Sequence, residues 1–587
     1  MAPYPFRAMV DGLSKLEQTS KRLELTTLLS SLFKSVGADE LPYVVYLIQG
    51  KIYPDYKGVE LGIAEKLVIR ALKMVTGLDE MTIEKEIGKK GDLGIVAESL
   101  ISKKKQAALL YQPLTIGRVY VTLDRMAKLS GAGSQSQKLS LFINLLNDCE
   151  PIEAKYLIRM AIGSLRLGVA DYTVLDALAE AFLGSRDMRG SLETAYNVSG
   201  DLGLVAGNLV NGGLESVKKI GVELNRPIRP MLAERAKDIP EALKHMQNDF
   251  ICEYKYDGER VQIHKEGELI SIFSRRLENI TVNYPDLVAI SKKKIKPDVA
   301  IVEGEAVAID KNSGQFYPFQ ELMHRRRKYE IDKAMAKYPV CLFLFDIMYL
   351  KGKSTLNLPL KERRELLRGS IEVGKTIKLT ESLRSSELPR IERMMEDAIE
   401  NGCEGIMIKD LKSVYRAGAR EFSWIKIKRE YKNELNDTMD LVVVGAFHGM
   451  GRRAGNYGTL LVAAYDEDAD TFKTVTKIGT GFKDEDLDMF PKLLSKYVID
   501  HRSARVDSNL KPDVWFEPSV VIEVQAQEIT LSPIHTAGLD IIKKGSGLAL
   551  RFPKFTGKVR DDKSAVDATT VKELVEMYYS QRKIRTG

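Results

Sequence analysis

At 587 residues the chain is too long for a single hydrophobic core, and its length implies three or four domains. Apolar residues at 44% and charged residues at 29% describe an ordinary soluble globular protein, while a net charge of +7 mildly favours a polyanionic partner. The four cysteines (Cys149, Cys252, Cys341 and Cys403) have neither CxxC nor His-paired spacing, which argues against a zinc module and a disulfide framework. With no signal-peptide stretch at the N-terminus and no run of transmembrane length, a cytoplasmic protein without a membrane partner is expected.

Residues 1–222 read as all-helical. Leu157, Met160, Ala161, Ser164 and Leu165 follow the 3.6-residue period of a buried stripe. Asp171 is placed to N-cap a further helix carrying Val174, Leu175, Leu178 and Phe182, with Gly184 at its C′ position. Gly91-Asp92-Leu93-Gly94-Ile95-Val96-Ala97 recurs as Gly200-Asp201-Leu202-Gly203-Leu204-Val205-Ala206. Small residues at a helix start can present N–H groups to phosphate oxygens, and a duplicated structural helix start fits the repeat equally well. The small polar stretch 130–136 reads either as a third phosphate contact or as a linker.

Pro227 and Pro230 mark a boundary, after which strands and helices alternate to about residue 430. This part is organised around Glu253-Tyr254-Lys255-Tyr256-Asp257-Gly258-Glu259-Arg260, a β-strand breaking at Gly258. Period 2 puts Glu253, Lys255 and Asp257 on one face and Tyr254 and Tyr256 on the other. A lysine between two carboxylates is either a solvated salt-bridge ladder or a nucleophile. An amine attacks only when deprotonated, so a nucleophilic Lys255 needs converging cations or desolvation. Further strands are expected at 302–308, 340–347, 404–409 and 424–428, the last with Lys426 and Lys428 on one face. Arg260, Arg275, Lys426 and Lys428 are the cations available to join Lys255. Glu305 and Glu404, each read as ending an apolar strand, could hold a magnesium ion.

Short strands at 441–445, 459–463, 473–476 and 520–524, separated by glycine-containing and acidic turns, predict a small barrel. The tail from 571 to 584 returns to a helical pattern.

The ordered series K-x-D-G-x-x-R (Lys255 to Arg260), S-R-R (Ser274 to Arg276), E-G-E-A-V-A (Glu303 to Ala308), F-D (Phe345, Asp346), E-G-I-M-I-K (Glu404 to Lys409), W-I-K-I-K (Trp424 to Lys428) and R-x-D-K (Arg560 to Lys563) resembles the ATP-dependent DNA ligases of the archaeal and eukaryotic replicative type. Phrases outside the motifs match as well, including R-P-M-L-A-E from Arg229, L-R-F-P-K-F from Leu550 and D-A-T-T from Asp567. Each motif alone is weak; the whole series in order covers essentially the entire chain.

The resemblance implies an all-α DNA-binding domain (1–222), an α+β nucleotidyltransferase or adenylation domain (223–430) and a β-barrel OB-fold domain with a C-terminal helix (431–587). It implies sealing of nicks in duplex DNA during replication, repair and recombination. Lys255 would take AMP from ATP as a lysyl-AMP, pass it to the 5′-phosphate, and the 3′-hydroxyl would then displace it. By the same resemblance Glu253 would recognise the adenine amino group, Phe345 would stack on the base, and Arg260 and Arg275 would bind ribose and phosphate. Glu305 would contact the ribose and share a Mg2+ or Mn2+ ion with Glu404. Arg420 and Lys426 would hold the phosphates, with Lys428 nearby, and Arg560 and Lys563 would orient the pyrophosphate leaving group. The expected partner is nicked double-stranded DNA bound by a monomer. Gln106, Leu109 and Leu110 resemble a shortened sliding-clamp motif in which leucines replace aromatic anchors, and equally read as an ordinary loop. An mRNA guanylyltransferase or RNA ligase shares the K-x-D-G core but lacks such a helical region. NAD-dependent ligases carry a zinc-binding cysteine cluster that these cysteines cannot form. A non-catalytic nucleic-acid-binding module would not need every motif residue.

Overall fold

The computed structural model describes residues 3–103, 112–246, 249–309, 316–317, 319–322, 325, 331–428, 438–449, 453, 455–526 and 528–586. Two compact units make up the chain, residues 1–71 with 105–429, and residues 72–104 with 430–587. The proposed clamp-binding residues Gln106, Leu109 and Leu110 lie outside the described residues.

The first unit begins with helices Phe6–Glu17, Arg22–Ser35 and Leu41–Leu47 and continues through Ile116–Lys128, Ser134–Asn147, Pro151–Ala161, Asp171–Leu183, Arg189–Ser199 and Leu202–Lys218. The opening helix shows why they pack: Phe6, Met9, Val10 and Leu13 recur at helical spacing and are all buried. Two local expectations need correction. Leu157, Met160 and Ala161 are buried on one helix, but that helix ends at Ala161, and Gly163 at φ 67° turns the chain before Ser164 and Leu165. Asp171 is the first helical residue rather than the cap; the N-cap is Ala170, with no side-chain cap. Its carboxylate instead accepts bonds from Tyr196 Oη (2.5 Å), Gln49 Nε2 (3.0 Å) and Arg229 Nη1 (3.0 Å).

The heptapeptide repeat is a helix corner used twice. Gly91 and Gly200 both take φ 63° and end a helix, a conformation that suits glycine. Asp92 and Asp201 then cap the next helix, accepting from the N–H of Ile95 and Leu204 at 2.9 Å. Asp201 also accepts the hydroxyls of Tyr46 (2.6 Å) and Tyr56 (3.0 Å), so its carboxylate is built into the packing of the first unit.

After the linker, the first unit holds two sheets. The strands are β1 Leu232–Arg235, β2 Phe250–Lys255, β3 Glu259–Glu266, β4 Leu269–Ser274, β5 Val299–Ala308, β6 Val340–Leu350, β7 Lys353–Ser354, β8 Ile377–Leu379, β9 Ser382–Leu383, β10 Gly405–Asp410 and β11 Arg420–Lys428. One sheet has the order β1-β11-β10-β2-β9; the other has β4-β3-β5-β6-β7, with β8 parallel to β6. Strand β6 is a nearly continuous apolar run because both of its faces are covered. The sheets share a core in which Cys252, Ile406, Ile408 and Ile425 of the first meet Val307, Cys341 and Phe343 of the second.

In the second unit, helices Glu80–Lys90 and Leu93–Ile101 come from the early segment. The four expected strands occupy Met439–His448, Tyr457–Asp466, Thr471–Ile478 and Val521–Gln525. Met439–His448 pairs with Tyr457–Asp466 along most of its length, and elsewhere with Val521–Gln525 and then Val514–Phe516. One strand serving three partners makes the sheet curl over a core of Leu441, Val443, Val462, Ile522 and Phe555. The tail helix, Val571–Thr586, adds Leu574 and Tyr578 to that core. Among the described residues no helix is long and apolar enough to cross a membrane.

Candidate active site

Strand register assembles the site. In the antiparallel pairing of β2, β10 and β11, Lys255 lies opposite Gly405, and Gly405 opposite Lys428. One pleat repeat away, Glu253 lies opposite Met407, and Met407 opposite Lys426. The alternation in W-I-K-I-K thus delivers both lysines to the face that carries Lys255. The turn between β2 and β3 passes very close to β5: a Cβ on Gly258 would stand 2.4 Å from the Ala306 carbonyl oxygen and 2.9 Å from Glu305 Cγ. That close approach is the physical reason for glycine in K-x-D-G, and it brings the Lys255 sheet against the Glu305 sheet.

Lys255 donates to the Glu404 carboxylate, which also takes Lys428 Nζ at 2.9 Å. The ladder along β2 therefore does not form. Lys255 pairs across to the entry of β10, while Asp257 Oδ2 accepts the Phe319 N–H at 3.2 Å. Burial would raise the Glu404 carboxyl, but the charges of Lys255 and Lys428 outweigh it and hold it below the usual value. The Lys426 amine is pulled down by burial and by the positive charges of Arg420, Lys255, Lys428 and Arg275. Those four cations lie near enough to Lys426 for their charge to act on it. Arg260 stands apart from them, bound to Glu303.

Glu305 lies inside β5 opposite Arg260, rather than at a strand end. Burial pushes its carboxyl up to about 8; Lys255 and Arg260 oppose that shift, and Glu259 and Glu404 add to it. The charge of Glu404 thus reaches Glu305 and disfavours their joint ionisation, and two such carboxylates suit an ion held together with phosphates and water. Among the described residues no cluster of three or more His, Cys, Asp or Glu is placed to hold a metal alone.

Arg260 donates through Nε to Glu303 and through Nη1 to the Met231 carbonyl, both at 2.8 Å. Burial works against its charge, but Glu303, Tyr415 and Glu305 outweigh it and hold the guanidinium above its usual value. Its guanidinium lies 5.5 Å from the centre of the Phe345 ring, and Phe345 meets Trp424 edge-on at 6.1 Å. Among the described residues, Arg260 Nη2 and Trp424 Nε1 are buried donors with no hydrogen-bond partner. Buried donors left unsatisfied are what an oxygen-rich ligand such as a ribose would complete. Asp346, the partner of Phe345 in F-D, is structural: it forms a two-bond pair with Arg363 at 2.8 and 3.0 Å, both side chains fully buried. Breaking such a pair costs about 3–5 kcal/mol.

Glu253 shares the sheet face of Lys255, as its period predicts, but pairs with other residues. It is 2% exposed and receives Arg364 on one oxygen and Lys409 Nζ, at 2.6 Å, on the other. Lys409, Arg364, Glu303 and Trp424 are site residues that the sequence reading did not single out. Lys409, Glu303 and Trp424 sit inside quoted motifs, five residues from Glu404, two from Glu305 and two from Lys426 respectively. Arg364 lies on helix Leu360–Ser370, 111 residues from Glu253, and carries no local signal.

Arg275 and Arg420 are exposed at strand ends. A cleft of about 410 Å3 in the first unit is lined by Arg229, Arg275, Arg276, Asp171, Tyr196 and Gly418 among others. Of the residues in the Lys255 cluster, this cleft takes in Arg275. In the second unit Arg560 Nη1 and Lys563 Nζ both reach Asp440 Oδ2, at 2.6 and 2.8 Å, and Arg560 also grips Asp562.

Two facing sheets with a lysine, a cation cluster and paired glutamates between them define a nucleotidyltransferase core. Comparison with known proteins narrows this. Residues 5–179 match the model described as "DNA ligase N terminus", 230–428 "ATP dependent DNA ligase domain", and 453–563 "ATP dependent DNA ligase C terminal region". The chain is 50% identical to a DNA ligase of Nitrosopumilus maritimus over 579 residues, covering 99% of this chain and 98% of the relative. It is 48% identical to one of Cenarchaeum symbiosum over 579 residues, with the same coverage. The solved structure "Pmar-Lig_PreS3" superposes with a TM-score of 0.52 at 18% identity, over 94% of this chain and 99% of that one, a likeness of fold. The chain belongs to the ATP-dependent DNA ligase family.

Proposed function

We propose that this nick-sealing enzyme works through Lys255. The observation that carries the assignment is the convergence of Arg275, Arg420, Lys255 and Lys428 on Lys426, with Glu404 gripping two of those lysines. Once its proton is lost, Lys255 Nζ attacks the α-phosphorus of ATP; an N–P bond forms and the P–O bond to pyrophosphate breaks. An oxygen of the DNA 5′-phosphate then attacks the same phosphorus and displaces Lys255. Finally the 3′-hydroxyl loses its proton, attacks the activated 5′-phosphorus and expels AMP. A phosphomonoester is a poor electrophile until its oxygen joins a good leaving group, and these transfers need cationic clamps more than a base.

Arg275, Arg420, Lys426 and Lys428 hold the phosphates, Arg260 the ribose, Phe345 the base, and Glu253 the adenine amino group. Glu305 and Glu404 would hold Mg2+ or Mn2+, which when bound neutralises phosphate charge. Arg560 and Lys563 act on the pyrophosphate leaving group; as two cations sharing Asp440, they can exchange that carboxylate for a phosphate. The domains are a helical DNA-binding domain over 1–222, an adenylation domain over 223–430 and an OB-fold over 431–587, a division favoured by the change from helices to strands after Lys218 and by the curled sheet beyond Lys428. The enzyme binds nicked duplex as a monomer and reaches a sliding clamp through Gln106, Leu109 and Leu110, an assignment resting on sequence alone. The test is incubation with labelled ATP, GTP or NAD. A lysyl adduct on Lys255 from ATP is expected; an adduct from NAD, or none in a protein that binds nicks, overturns the reading.

A further inference from the structure

Glu253 sits in a charged nest for which the nick-sealing chemistry has so far given no reason. Its two oxygens are taken by cations from different elements. Arg364, on helix Leu360–Ser370, holds Oε1 and also donates to Ser382 Oγ at 3.2 Å. Lys409, on β10, holds Oε2, and its ammonium lies over the rings of Trp424 (4.1 Å) and Phe345 (4.4 Å). Lys409 is only 2% exposed, and burying an ammonium this deeply is costly unless something uses its charge.

We propose that Lys409 and Arg364 are positioning residues that set base selectivity, holding Glu253 as a carboxylate so that it accepts a bond from an exocyclic amino group and repels an exocyclic oxygen. The proposal rests on the assignment of Glu253 to the base. Ionised, a carboxylate only accepts; protonated, it can also donate. A 6-aminopurine offers a donor at this position and a 6-oxopurine an acceptor, so the protonation state of Glu253 chooses between them. A site that pairs buried polar groups with one substrate discriminates strongly against the substrate that leaves them unpaired. Without a neighbouring cation, burial favours the neutral acid, and the same side chain would welcome the 6-oxo base.

The charged groups around the nest are Arg364 from the helix, Lys409 from β10, Arg260 from β3, Glu303 from β5 and Asp346 from β6. Glu303 is occupied by Arg260 and Tyr415, and Asp346 by Arg363. Lys409 and Arg364 are therefore the cations that touch Glu253. Burial, with the charges of Arg364 and Arg260, pulls the Lys409 amine well down, and Asp346 and Glu303 oppose that shift. The contacts that favour its charged form directly are the Glu253 carboxylate at 2.6 Å and the two ring faces.

The experiment measures lysyl-nucleotide formation by the full-length protein with ATP and with GTP between pH 6 and 9. It compares wild type with Lys409→Met, Lys409→Arg and Arg364→Met. Wild type should prefer ATP by a ratio that does not change with pH. Lys409→Met should reduce that ratio by about tenfold or more, chiefly through a higher KM for ATP. Its ratio should recover as pH rises and Glu253 re-ionises, while ionisation of Lys255 affects both nucleotides alike and cancels. Lys409→Arg should keep the wild-type ratio. Equal slowing with ATP and GTP at every pH, in a variant that still seals a pre-adenylylated nick, overturns the proposal, and Arg364→Met decides in the same way should Lys409→Met not fold. Absence of any adduct in wild type would overturn the functional reading instead.

Discussion

Lys255 and Glu404 are 149 residues apart in the chain and form an ion pair in the fold. The Glu404 N–H also donates to the Lys255 carbonyl at 2.8 Å, so backbone and side chain join the two at one point. On the proposed mechanism, the carboxylate that would help hold a divalent ion would thus occupy Lys255 until a cation replaced it. Glu404→Gln removes the charge but keeps a hydrogen-bonding side chain. It should slow lysyl-AMP formation by about a hundredfold or more, an effect that extra metal reduces only partly. Single-turnover adenylylation across a Mg2+ series checks this; a wild-type rate at ordinary Mg2+ would remove Glu404 from the site.

Lys255→Ala should abolish self-adenylylation and sealing with ATP while leaving nick binding close to wild type. It should still seal a pre-adenylylated nick, because only the first two transfers use the amine. Loss of that last activity in folded protein would contradict the nucleophile assignment.

Lys563→Ala should slow the first step much more than the sealing of pre-adenylylated nicks, because pyrophosphate leaves only in the first step. Arg560 remains on Asp440 in this variant, which protects the fold of the second unit. Equal losses in the two assays would mean that Lys563 serves DNA rather than ATP.

The parts legible in the sequence were those whose signal is local. Alternation in residues 250–255 and 424–428 and the apolar run from Val340 gave strands close to those observed, and Lys255, Lys426 and Lys428 fell on one face of their sheet. Asp171 was misread because a carboxylate at a helix start can cap or pair; here Arg229, Tyr196 and Gln49 outcompete its own backbone. Strand β9 is two residues long and exists only because Cys252 and Glu253 offer it an edge. The grip of Arg364 on Glu253 depends on where a helix lands, which no spacing rule encodes. The period of β2 does put Glu253 on the face of Lys255, but that its partner there is Lys409 follows from the register of β10, where Lys409 lies opposite Ile251.

His264 provides a test of how the linker is fastened. It is 1% exposed on β3, and its Nδ1 accepts the Asn225 N–H at 3.0 Å, which puts the ring proton on Nε2, donated to Gln262 Oε1 at 2.9 Å. Gln262 in turn accepts from the Ile228 N–H (2.8 Å) and donates to its carbonyl (2.9 Å), so this pair pins residues 225–228 to the sheet. Burial holds the imidazole down at about 3, against 6.5 when exposed. The unfolded chain therefore binds the extra proton first. The stability that neutral His264 contributes is fully present above pH 6.5 and is lost as pH falls from there toward 3, at about 1.4 kcal/mol per pH unit. His264→Gln cannot titrate. It should be less stable than wild type at pH 7, and the gap should close by about that amount per unit as the solution is acidified. Denaturant midpoints of the two proteins at pH 7, 5.5 and 4.5 measure it. Parallel acid limbs would show that His264 is not the group that loosens the linker.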